Sequence, residues 1–191
     1  MRFHETRLKG AFLIELEPHA DDRGFFARAY CEEEFAAHGL CTRYPQCNVS
    51  YSVRTGTLRG MHLQAAPHEE AKVVRCTAGA IHDVIIDLRP GSSTFTGYIG
   101  VELSAENRKM VYIPEGFAHG FLTTEENAEV FYMMSAPFAA GAARGVRWDD
   151  PAFGVAWPGP VEVISERDAG YPDFDREAWV RDEATRSDGE P

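Results

Sequence analysis

No run of apolar residues in the 191-residue chain approaches the roughly 20 needed to cross a bilayer as a helix. The first ten residues, MRFHETRLKG, contain no apolar signal region, so a cytoplasmic protein is expected. Cations are scarce: 19 Lys and Arg stand against 30 Asp and Glu, a formal net charge of −11. That balance argues against broad binding to a nucleic-acid backbone or to an anionic membrane surface. It leaves room for a small anionic ligand held by a few local arginines. The four cysteines, Cys31, Cys41, Cys47 and Cys76, form no C-x-x-C pair. They read as reduced thiols, not as a disulfide framework or a zinc site. There is no internal repeat and no low-complexity stretch.

What is present is strand. The length suits one domain with a sizeable core. AFLIELEP (11–18) alternates apolar and polar residues, and ADDRG then turns the chain. EEEFAAHG (32–39) reads as one short helix closed by a glycine. From about residue 44 to 148, short runs rich in Val, Ile, Tyr and Phe are split by Gly, Pro, Asn and Ser. This spacing predicts an all-β sandwich or barrel, not alternating strands and helices. Within it, GAIHDVIIDLRPGSSTFTGYIGVELS reads as two strands joined in a hairpin or jelly-roll turn. One domain is expected over 1–175, followed by a polar extension over 176–191 that starts as a surface helix.

Three stretches place reactive side chains in strand-like surroundings. RGMHLQ carries Arg59 and His62, with Lys72 soon after; IPEGFAHGF carries His119; AEVFYMM carries Tyr132. Each residue alone also has a plain structural reading. His62 and His119 could be hydrogen-bonded core histidines, Tyr132 a sheet residue, and Arg23 and Arg59 surface arginines beside a glycine. Lys72, inside the apolar run A-K-V-V, is either on the open face of an edge strand or buried for a purpose.

The spacing P-x-G-x-x-H at Pro114, Gly116 and His119 suits a cupin barrel, as does Gly60-x-His62 on an earlier strand. Cupins often hold a metal with an H-x-H pair, a glutamate and the later histidine. Here Leu63 and Gln64 follow His62, so the second histidine of the pair is missing. Two histidines with Glu69 or Glu70 make a thin ligand set, and no metal is expected. Without metal, two histidines with a reference pKa of about 6.5 suit proton transfer at neutral pH.

With these residues in place, the chain resembles the dTDP-4-dehydrorhamnose 3,5-epimerase family of cupins. The resemblance runs from DDRGFF (21–26) through LRGMHLQ, AKVVRCTAG, DVIIDLRPGSSTF, LSAEN, YIPEGFAHGF and WDDPAFGVAWP to ISERD (164–168). It implies a cupin-like jelly roll and a cofactor-independent epimerisation of nucleotide-linked 4-keto-6-deoxy sugars. It also implies roles. His62 is the base that takes the C5 and C3 protons, and Asp168 orients it. Lys72 stabilises the enolate oxygen with His119 beside it, and Tyr132 is the acid on the other face. Arg23 and Arg59 hold the diphosphate, and Gln46 and Asn48 contact the nucleotide.

The sequence departs from the family pattern at four positions. Arg28 and Ala143 stand where the family has a glutamate, Arg167 replaces a lysine, and Phe138 occupies a tyrosine position whose following proline is absent. The leading expectation is inversion at both C3 and C5. A mono-epimerase acting on another nucleotide 4-keto deoxysugar is the alternative, and a non-catalytic sugar-nucleotide-binding cupin is a third. The resemblance further implies a homodimer in which the N-terminal strand AFLIELEP exchanges and Arg23 serves the neighbouring site.

Overall fold

A computed structural model describes residues 1–187. The expected C-terminal extension therefore lies partly, at 188–191, outside the described residues. Strands are numbered along the chain. A six-stranded sheet has the order β1 (Arg2–Glu5), β2 (Phe12–Glu15), β10 (Met110–Ile113), β7 (Lys72–Ala78), β12 (Ala128–Met134) and β5 (Gln46–Ser52). A five-stranded sheet has the order β13 (Ala143–Gly145), β6 (Leu58–Gln64), β11 (Phe117–Thr123), β8 (Ala80–Asp87) and β9 (Tyr98–Ser104). A small hairpin, β3 (His19–Asp21) with β4 (Gly24–Phe26), stands apart from both. Three helices complete the architecture: α1 (Glu32–Ala37), α2 (Glu166–Ala169) and α3 (Arg176–Ser187).

The two sheets face each other over a core that includes Val74, Val111 and Val130 from one side and Ile85, Leu103 and Phe117 from the other. The jelly-roll expectation holds, and the hairpin read from GAIHDVIIDLRPGSSTFTGYIGVELS is β8 paired antiparallel with β9. β8 does not alternate because both of its faces are covered. Ile81 and Ile85 meet the central core, while Val84 and Ile86 meet a second cluster behind the sheet with Val146, Phe153 and Trp179. On the far side of the six-stranded sheet, Phe35 of α1 packs among Ile14, Val73 and Tyr112. Three glutamates in the first turn of α1 match the positive end of its dipole, and Gly39, at φ +70°, terminates it.

Strand β2, from AFLIELEP, pairs on both sides within its own chain, with β1 and with β10, so β1 is the outer strand of this sheet. Helix α3 begins where expected but is not merely a surface element. Its Trp179 is 7% exposed and donates its indole N–H to the Leu88 carbonyl at 2.9 Å. A large aromatic in an otherwise polar segment docks the helix, helped by Arg144, which pairs with Glu183 and stacks over the Trp179 ring.

Candidate active site

A cavity of about 850 Å³ opens between the two sheets, lined on one side by β6 and β11 and on the other by β5, β7 and β12. Local backbone geometry explains why β6 can carry a reactive side chain. Gly60 has φ +131°, and a Cβ there would lie 2.5 Å from the Gly120 Cα of the neighbouring β11. No side chain fits at position 60. The close approach also frees the Gly60 N–H, which donates to Asp168 Oδ2 at 3.2 Å.

Asp168 is 5% exposed and sits in α2, whose N-cap Ser165 accepts the Asp168 backbone N–H at 3.1 Å. Its second oxygen, Oδ1, lies 2.7 Å from His62 Nε2. An ionised Asp168 accepts Nε2–H, which leaves the lone pair on Nδ1 of the same ring. Burial alone would push the Asp168 carboxyl up. The hydrogen bond and charge of His62, with the Gly60 and Ser165 contacts, carry it below the usual aspartate value. His62, with 40% of its side chain exposed, is half-open to the cavity.

Gly145 of β13 lies opposite His62 in register, and the Tyr171 ring packs where a Gly145 Cβ would be, 2.3 Å from its Cζ. The same ring stands edge-on to His62, with centroids 6.4 Å apart. Tyr171 follows Asp168 by three residues, so this packing holds the α2 segment against the strand that carries His62.

Lys72 is the first residue of β7 and is 7% exposed. Its ammonium pairs with Glu70 Oε1 at 2.8 Å and donates to the His62 carbonyl at 3.5 Å. Of the two readings of A-K-V-V, the buried one is correct. His119 lies directly opposite His62 across β11 and β6, and its Nε2 is 2.7 Å from Asp83 Oδ2. Tyr132 enters from β12, in the other sheet, and is paired in register with Asn48. Burial pushes its phenol pKa up, against smaller opposing effects of Arg59 and Asn48, so the hydroxyl keeps its proton. Gln46 and Asn48 point inward from β5, and Gln46 Oε1 accepts the Phe138 N–H at 3.0 Å. Arg59 is held at the rim by Ser52 Oγ at 3.2 Å and the Tyr51 carbonyl at 3.1 Å.

Eight of the nine residues singled out in the sequence therefore line one cavity: His62, Lys72, His119, Tyr132, Asp168, Arg59, Gln46 and Asn48. Arg23 does not. It sits at the tip of the β3–β4 hairpin, with 90% of its side chain exposed, paired with Asp21. Of the departures, Phe138, Ala143 and Arg167 line the cavity, whereas Arg28 pairs with Glu34 at 2.8 Å elsewhere. Sequence reasoning passed over Asp83, which carries His119. The available signal was a charged residue inside the apolar run AIHDVIIDL, the same signal that marked Lys72. Glu70, weighed as a metal ligand, pairs instead with Lys72. Among the described residues, no three His, Cys, Asp or Glu side chains are grouped to hold a metal ion.

A proton-accepting imidazole oriented by a carboxylate, a buried ammonium and a protonated phenol in one cavity are the parts of an enolising site. Comparison with known proteins agrees with that chemistry. The family model described as dTDP-4-dehydrorhamnose 3,5-epimerase matches residues 5–176. The chain is 39% identical to a dTDP-4-dehydrorhamnose 3,5-epimerase of Sinorhizobium fredii, over 90% of this chain and 89% of the relative. Among solved structures, the Bacillus anthracis dTDP-4-dehydrorhamnose 3,5-epimerase with TDP and PPi bound superposes with a TM-score of 0.87. It is 37% identical and covers 91% of this chain and 99% of its own. A 3′-monoepimerase from Streptomyces bikiniensis in complex with dTDP-quinovose superposes with a TM-score of 0.82. It is 31% identical and covers 96% of this chain and 98% of its own. Resting on family match, identity and fold together, the conclusion is that this chain belongs to the dTDP-4-dehydrorhamnose 3,5-epimerase family.

Proposed function

We propose that this protein inverts C3 and C5 of dTDP-4-dehydro-6-deoxyglucose, giving dTDP-4-dehydro-L-rhamnose. The observation that carries the reading is the His62–Asp168 pair on one sheet facing Tyr132 on the other, across one cavity. His62 Nδ1 takes the proton from the carbon next to the C4 ketone. The C–H electron pair moves into an enolate whose oxygen is met by the Lys72 ammonium, with His119 beside it. Asp168 stabilises the imidazolium that forms. Tyr132 then gives its hydroxyl proton to the same carbon from the opposite face, inverting it, and solvent restores both groups. The cycle repeats at the second carbon. Arg59 binds the diphosphate, and Gln46 and Asn48 contact the nucleotide. We place the reaction in the cytoplasm, where the free thiols of Cys31, Cys41, Cys47 and Cys76 stay reduced.

The test is product identity. Incubation with dTDP-4-dehydro-6-deoxyglucose, followed by reductive trapping at C4, should give the L-rhamnose configuration at C3 and C5. A product inverted at one centre would make this a mono-epimerase, and unchanged sugar would contradict the reading.

The same proposal includes a homodimer. β5 and the residue after it expose Val49, Tyr51 and Val53 in alternate positions, and the hairpin exposes Phe25 and Phe26. Apolar rows of this kind mark contact surfaces. Arg23 on that hairpin is outside its own chain's cavity, so a second copy is the natural recipient of its charge. Light scattering should report a dimer, and Arg23→Ala should weaken sugar-nucleotide binding while leaving the dimer intact. A fully active monomer would contradict this assignment.

A further inference from the structure

Lys72 has one carboxylate partner, and that partner has more hydrogen-bonding capacity than Lys72 uses. Glu70 is 6% exposed and lines the cavity close to Lys72. Its Oε1 holds the Lys72 ammonium at 2.8 Å. Its Oε2 is buried and has no hydrogen-bond partner among the described residues. A buried carboxylate oxygen left unpaired costs free energy, and a carboxylate has acceptor sites but no donor. A donor brought into the cavity is the kind of group that satisfies Oε2. Amides that line the same cavity are engaged with other partners. The Gln64 amide donates to the His68 and Pro137 carbonyls and accepts from the Ala139 N–H. Gln46 and Asn48 bond to each other at 3.2 Å.

We propose that Glu70 is a further substrate-binding residue: Oε2 accepts a hydroxyl hydrogen of the bound sugar while Oε1 fixes Lys72. The inference rests on the reading of this cavity as a sugar-nucleotide site. It assigns Glu70 to the sugar and not to the nucleotide, because Oε2 lies beside the lysine that meets the sugar's ketone oxygen. An acceptor-only carboxylate there selects sugars with a free hydroxyl near C4 over sugars deoxygenated or alkylated at that position. A charge-assisted bond of this type is roughly twice as strong as a neutral one.

Glu70→Gln separates this role from the pairing with Lys72. The ammonium can only donate, so it holds the amide oxygen, and the amide NH2 takes the place of Oε2. The cavity then presents a neutral donor where it presented a charged acceptor, with the shape unchanged. Calorimetry with two probes, dTDP and dTDP-rhamnose, is the experiment. The wild type should bind dTDP-rhamnose more tightly than dTDP. In Glu70→Gln the affinity for dTDP-rhamnose should fall about 10-fold, the order expected for loss of one hydrogen bond to a charged acceptor, while dTDP binding and melting temperature stay as in the wild type. Unchanged dTDP-rhamnose affinity would overturn the sugar contact. Equal losses for both probes would overturn it as well, by showing a general electrostatic or folding effect. A wild type that binds neither probe would instead overturn the reading of the cavity itself.

Discussion

His62→Ala is expected to eliminate epimerisation, lowering turnover by about 10³-fold, within the range general-base catalysis supplies. The loss should be equal at C3 and C5, because the proposed base His62 serves both and the two carbons flank the same ketone. In deuterated solvent the variant should leave both proton signals intact while still binding dTDP, since Arg59, Gln46 and Asn48 are untouched. The fold should survive, as His62 is half-exposed and its removal leaves no large internal cavity. Tyr132→Phe gives the contrasting pattern. It removes the acid and spares the base, so exchange should outlast inversion. Exchange retained at either carbon in His62→Ala would mean that another group, with His119 the nearest candidate on the adjoining strand, takes that proton.

Asp168→Asn should come close to the same loss without removing any ring. The Gly60 N–H requires an acceptor at the Oδ2 position, so the new amide places its oxygen there and its NH2 toward His62. His62 Nε2 must then accept, and the ring proton moves to Nδ1, the nitrogen that has to receive the substrate proton. The base is present in the wrong tautomer, and about 10³-fold or more in turnover should disappear, as for other buried aspartate–histidine pairs. Binding of dTDP should not change. Stability carries a second signature. The Asp168 carboxyl is held below its ordinary value, so its contribution is present above the unfolded pKa of about 3.9 and is lost as pH falls through the lower folded value. The melting-temperature advantage of the wild type over Asp168→Asn should therefore shrink as pH falls below about 4. An advantage that grew on acidification below pH 4 would contradict the direction of the shift.

Much of the site was legible because it sits on strands with strong local signals. Gln46 and Asn48 came from the family resemblance, and the structure shows why two residues one apart reach the cavity together: they alternate with exposed Cys47 along β5. A lysine in an apolar run marked the position as unusual without choosing between an open edge and burial, and Lys72 is buried. Long-range pairing was not legible from local pattern. Asp168 is 106 positions from His62, and only the family resemblance joined them before the fold did. Asp83 was hidden because β8 is covered on both faces, which erases the alternation that would have marked it. Glu70 was hidden in the polar run HEE, where adjacent glutamates carry no sign of which one turns inward. Trp179 was missed because one aromatic barely alters the average polarity of its helix, yet its indole is buried and bonded to the Leu88 carbonyl.

The most direct measurement is proton NMR of dTDP-4-dehydro-6-deoxyglucose in deuterated water with the purified protein. The C3 and C5 proton signals should both disappear, at rates that fall together when His62 is replaced, because one base serves both carbons. Signals that persist at both positions, in the presence of protein shown to bind the nucleotide sugar, would contradict the assignment of this cavity as an enolising site.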